Sequence, residues 1–152
     1  MPTVEHSALT TGELHEPKGA DTATSGEIYV ADGAGSGSWV GRSDTFTVLI
    51  HDISSSGDTY IPIPYAGTVT KVQTVLGGAI AGSDVVFTVY NSAAASMGTL
   101  TITQSGSAAG DVDTLAPSSN NTLTASDWIK VNCDGGATSH VDTVLVICVD
   151  GS

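Results

Sequence analysis

Short β-branched runs, each cut off by turn residues, recur through most of this chain and leave room for little except a β-sheet fold. The spacing predicts strands at Thr45–His51, Thr59–Ile63, Gly67–Leu76, Asp84–Asn91, Thr99–Gln104, Gly110–Leu115, Asn121–Leu123, Trp128–Cys133 and Val141–Val149. Turn chemistry separates them: Ser54-Ser55-Ser56-Gly57-Asp58, Gly77-Gly78, Ser105-Gly106-Ser107, Ser118-Ser119-Asn120 and Asp134-Gly135-Gly136. In Thr99–Thr103, Leu100 and Ile102 point one way and three threonines the other, as in a half-buried antiparallel strand. Thr143–Val149 is apolar on both faces, which calls for cover on two sides, one of them a neighbouring subunit. No segment repeats apolar residues at helical spacing for three turns.

The expected fold is therefore all-β: a small antiparallel β-sandwich, jelly-roll-like, over residues 45–152. An immunoglobulin-like sandwich is the competing topology, but its Cys-Trp-Cys order is missing. Residues 1–44 differ in character. They hold seven acids and few large apolar groups, so they cannot close a core of their own. One strand-like piece, Glu27–Ala31, is followed by the Gly/Ser stretch Asp32–Ser38, which reads as a flexible linker, and then by Trp39. Leu9, Leu14, Tyr29 and Trp39 are large apolar groups on a polar background. A pure linker has no use for them, so the segment is expected to be an extended N-terminal arm that orders against a partner.

Charge narrows the partners. Sixteen Asp+Glu against four Lys+Arg give a formal net charge of −12. A nucleic-acid binder needs clustered cations to displace counterions, so no direct nucleic-acid partner is expected. The longest apolar run, Val144–Val149, falls far short of the roughly 20 residues of a membrane-spanning helix, so no membrane association is expected either. The first residues carry neither a cationic start nor an apolar stretch, and the expectation is synthesis in the cytoplasm without a secretory signal.

Catalytic signatures are sparse, and the expectation is no enzyme, no cofactor and no metal. A Gly-x-Ser-x-Gly elbow is missing, and His15-Glu16 lacks a second His at zinc spacing. Gly33, Gly35 and Gly37 do not have dinucleotide-loop spacing. His6, His15, His51 and His140 are scattered along the chain. Cys133 and Cys148 read as small buried hydrophobes, with a cross-strand disulfide formed after release as the alternative. Asp111 and Asp113 share a strand face and Asp134 and Asp142 flank a turn. They read as solubilising surface acids, or as calcium ligands at a subunit axis. Asn120-Asn121-Thr122 reads as a plain turn. Of the eight aromatics, Phe46 and Phe87 are expected in the core, while Tyr60, Tyr65 and Trp128 are candidates for an exposed carbohydrate-binding face.

Three stretches carry a family resemblance. The segment HSALTTGELHEPKGADTATSGEIYVADGAGSGSW, from His6 to Trp39, resembles one found at the start of many structural proteins of tailed bacteriophages. The stretches YIPIPYAGTVTKVQTVLGGAIAGSDVVFTVYN and TLTITQSGSAAGDVDTLAPSSNNTLTASDWIKVNCDGG are similar to the small β-sandwich of phage head-decoration (cement) and head-fibre proteins. The resemblance implies a virion structural protein, a homotrimer on the outer capsid surface, with the major capsid protein as partner. Nothing collagen-like extends the chain, so a complete fibre is not implied. The capsid-binding arm residues would be Leu9, Leu14, His15, Pro17, Tyr29 and Trp39, with Glu13, Glu16 and Lys18 as polar anchors around Pro17. The alternative is a receptor- or glycan-binding module of a phage tail fibre or spike.

Overall fold

The computed structural model describes residues 23, 24, 26–34 and 37–151, and among these there is no helix. Eleven strands among the described residues form in two compact units, one ending at Gly41 and the other starting at Arg42, three residues before the expected start at 45.

In the first unit β1 (Glu27–Ala31) pairs antiparallel with β2 (Gly37–Gly41), Tyr29 standing opposite Trp39 and Ile28 opposite Val40. The expected linker is thus a hairpin turn that continues into a second strand. Asp32 Oδ1 accepts the Ala34 amide at 2.8 Å, and Gly33 takes φ +75°, a left-handed conformation that glycine tolerates. Gly37 is also needed as glycine, because a Cβ there would lie 2.8 Å from the Tyr29 ring.

The second unit is an antiparallel sandwich. One sheet has the order β3 (Ser43–Ile50), β11 (Thr143–Gly151), β5 (Gly67–Leu76), β8 (Val112–Leu115), with β9 (Thr122–Leu123) also on β5. The other has the order β4 (Gly57–Pro62), β10 (Trp128–Cys133), β6 (Val85–Tyr90), β7 (Ser96–Ile102). Counting β8 and β9 as one interrupted strand, the sheets run first-eighth-third-sixth and second-seventh-fourth-fifth. That alternation between sheets is the double Greek key of a jelly roll.

Each strand sends alternate residues inward. Val69, Val72, Leu76, Leu145, Ile147 and Val149 from the first sheet meet Ile61, Val85, Phe87, Val89, Leu100, Ile102, Ile129 and Val131 from the second. Phe87 is the largest side chain fully out of solvent. Phe46, expected in the core, is only partly buried and packs against its margin. β3 begins at Ser43 because Asp44 and Ser43 pair with Val149 and Asp150, and the Gly151 amide donates to the Arg42 carbonyl at 2.5 Å. The doubly apolar β11 occupies a central position. Its inner face is buried, while Val144, Val146 and Cys148 are half-buried on the outer face of their own sheet.

Candidate functional site

Leu9, Leu14, His15 and Pro17, four of the six arm residues singled out from sequence, lie outside the described residues, as do Glu13, Glu16 and Lys18. The remaining two come together. The Tyr29 and Trp39 rings meet edge to face with centroids 5.3 Å apart, an arrangement favoured by the ring quadrupole. Both are half-buried. The opposite face of the same hairpin carries Ile28, Val30 and Val40, which stay 52%, 46% and 37% exposed. This two-stranded sheet therefore has apolar groups on both faces. A lone hairpin is marginal in water at best, because it has no second layer on which to bury such groups.

The outer face of the β3-β11-β5-β8 sheet carries a second apolar feature. Register places Leu49, Val144, Val75 and Val112 side by side across the four strands. Leu49 and Val112, at the ends of this row, are about half exposed. The next row, Thr47, Val146, Gln73 and Thr114, is mostly polar, with Gln73 donating to Thr114 Oγ1 at 3.1 Å.

On the outer face of the other sheet, the β4-β10-β6 register aligns Tyr60, Lys130 and Tyr90 in one row, Asp58, Asn132 and Thr88 in the next, and sets Trp128 opposite Pro62. Tyr60 and Trp128 meet edge to face at 5.1 Å, and the Lys130 ammonium sits 4.5 Å above the Tyr90 ring. Tyr60 is the most exposed large hydrophobic side chain of the described residues at 58%. Asn132 Nδ2 donates to Asp58 Oδ1 at 2.7 Å, while Lys130 Nζ lies 3.5 Å from Asp58 Oδ2. The Asn132 amide, with the Lys130 charge next, holds the Asp58 carboxyl below its ordinary pKa, so it is ionised at neutral pH. Two of the three aromatics named from sequence, Tyr60 and Trp128, are joined here by Tyr90, which had not been singled out. Its signal was parity: it stands an odd number of residues from the inward-facing Phe87 and Val89.

Tyr65 does not join them. It is half-buried beneath the Arg42 guanidinium, 4.4 Å from the ring, and its hydroxyl faces Asp44. Burial first, and the Asp44 carboxylate second, push its phenol up to about 12. Tyr65 is a clasp at the start of β3.

The histidines are less scattered than their positions suggest. The β3–β4 and β10–β11 loops bring His51 Nδ1 to 3.4 Å from Asp142 Oδ2, and His140 Nδ1 to 3.4 Å from Asp52 Oδ2. Asp52 takes hydrogen bonds from the Ser54 amide and from the Ser54 and Ser55 hydroxyls, and Asp142 accepts the Asp52 amide. The seryl hydroxyls thus serve to hold a loop. Both carboxyls are held below their usual range, Asp52 chiefly by Ser54 and Asp142 chiefly by the Asp52 amide.

The remaining sequence candidates take structural places. Cys133 and Cys148 are both free thiols, not a disulfide. Cys133 is buried with its Sγ 3.7 Å from the Ile53 carbonyl, and burial raises its pKa. Burial, and then Asp111, raises the Asp113 carboxyl, whereas Asp111 accepts the Ala108 amide at 2.6 Å in a turn. Asp134 accepts the Val86 and Gly136 amides. Among the described residues no group of three or more His, Cys, Asp or Glu is placed to hold a metal ion.

No protein-family model matches this chain, and comparison with the curated proteins finds no match.

Proposed function

We propose that this chain is a virion structural protein of a tailed bacteriophage: a capsid decoration, or cement, protein. Its N-terminal segment attaches to the major capsid protein on the outside of the head and stabilises the shell, while the sandwich stands outward as a homotrimeric knob. The sequence resemblance supports the class. The observation that carries the attachment reading is the hairpin, whose Ile28, Val30 and Val40 face is left open although Tyr29 and Trp39 occupy the other face.

Covering that open face on a shell would recover on the order of 1 kcal/mol for each of the three side chains, since each is already about half shielded. An extended leading segment covers much area per residue and suits bridging between capsid subunits. The net charge of −12 keeps separate trimers from aggregating before attachment. The row of Leu49, Val144, Val75 and Val112 is the apolar surface that subunits of the trimer would share.

The test uses undecorated heads and the full chain. Co-sedimentation should show saturable binding of the natural sequence and at least about tenfold weaker binding when Ile28 and Val40 are both changed to Ser. Equal binding by the double variant contradicts the attachment role.

A further inference from the structure

We propose that the outer face of the β4-β10-β6 sheet is a binding site for a neutral polysaccharide, centred on Tyr60 and Trp128, with Asp58 and Asn132 as the hydroxyl-binding pair. The geometry combines two requirements of such a ligand. A pyranose ring is apolar on its C–H faces and polar around its edge, so it needs aromatic faces beside fixed hydrogen-bonding groups. Tyr60 and Trp128 supply two rings set at 70° to one another. Asp58 and Asn132 lie one row along on the same strands, already bonded to each other at 2.7 Å, which fixes both side chains before a ligand arrives. An ionised carboxylate has about four lone-pair directions. Asn132, Lys130 and the Tyr60 hydroxyl take up part of this capacity, and the remainder is free to accept a sugar hydroxyl.

Other occupants fit less well. Nucleic acids and acidic polysaccharides meet a chain of net charge −12, in which Lys130 is one of only four cations and is already beside Asp58. A protein partner needs about 1,000 Å² of buried surface, and here the aromatic area gives way to Thr88, Thr99 and Thr101 on the adjoining strands. The inference is independent of capsid attachment, since it uses none of the hairpin.

Calorimetric titration of the full chain with four neutral hexasaccharides tests it: β-1,4-linked glucose, mannose and N-acetylglucosamine, and α-1,4-linked glucose. At least one should bind saturably, and Tyr60→Ala should weaken it about tenfold, while Thr101→Ala leaves it unchanged. Tyr60 is exposed, so its removal spares the core, and an unchanged melting temperature verifies this. Asp58→Asn, which keeps the shape, should also weaken binding. Binding by none of the four, or equal binding by Tyr60→Ala, overturns the proposal. So does a Tyr60→Ala variant that changes oligomeric state, since the face would then be a subunit contact. Head attachment should persist in Tyr60→Ala, which separates this outcome from the cement reading.

Discussion

The hairpin and the sandwich are built from the same backbone geometry but solve the burial problem differently. The sandwich stacks two sheets, so every strand has an inner face, and residues such as Phe87, Leu145 and Ile147 leave water completely. Among the described residues the hairpin has two strands and no second layer of its own. Its best shielded side chains, Tyr29 and Trp39, rely on each other, and its aliphatic face stays open. Strand pairing alone does not create a core. A second apolar layer does, and for the hairpin that layer has to come from elsewhere.

The largest effect should separate the two units through the core. Phe87→Ala removes the biggest fully buried side chain and should cost about 3–5 kcal/mol in urea unfolding of the sandwich. Trp39→Ala should leave that transition within about 0.5 kcal/mol of the natural chain, yet weaken attachment to heads about tenfold in sedimentation. A large loss of sandwich stability from Trp39→Ala would break the division drawn between the units.

Smaller changes sharpen the picture of the sandwich. Thr74 is fully buried on β5 and its hydroxyl has no hydrogen-bond partner among the described residues, whereas the neighbouring buried Thr143 donates to the Val75 carbonyl at 3.0 Å. Thr74→Val should therefore stabilise by about 1 kcal/mol, and Thr143→Val should not. The smallest effect concerns Asp113, whose folded-state pKa is raised above 3.8 by burial and by Asp111. A raised carboxyl binds its proton more tightly when folded, so it subtracts stability as pH climbs through that window. Asp113→Asn should raise the melting temperature slightly at pH 7, and the gain should vanish below pH 3.8. Asp52, Asp58, Asp127 and Asp142 have lowered pKa values and act with the opposite sign: their contribution is present above 3.8 and fades as acid protonates them.

Much of the sandwich was legible in the sequence because its signals are local. Gly67–Leu76 and Trp128–Cys133 are strands with those bounds, since alternation and turn residues mark both ends. Gly110–Leu115 begins later, at Val112, because the Asp111 amide is used in the preceding turn, where it donates to the Ala108 carbonyl. The hairpin was missed where a Gly/Ser run suggested a linker. Asp32-Gly33 between Tyr29-Val30 and Trp39-Val40 was the available signal. The aromatic face was not legible as a unit, because Tyr60, Tyr90 and Trp128 meet only through the pairing of β10 with both β4 and β6. The His51–Asp142 and His140–Asp52 contacts likewise depend on two loops that are distant in sequence.

Amide hydrogen exchange, followed residue by residue in the free chain and in the chain bound to heads, probes the hairpin's need for a partner most directly. In the free chain, Tyr29 and Trp39 amides should exchange orders of magnitude faster than those of Phe87 and Ile147, and on attachment they should slow while the sandwich stays unchanged. Hairpin amides as protected as the sandwich core before attachment, or still fast after it, would contradict the account.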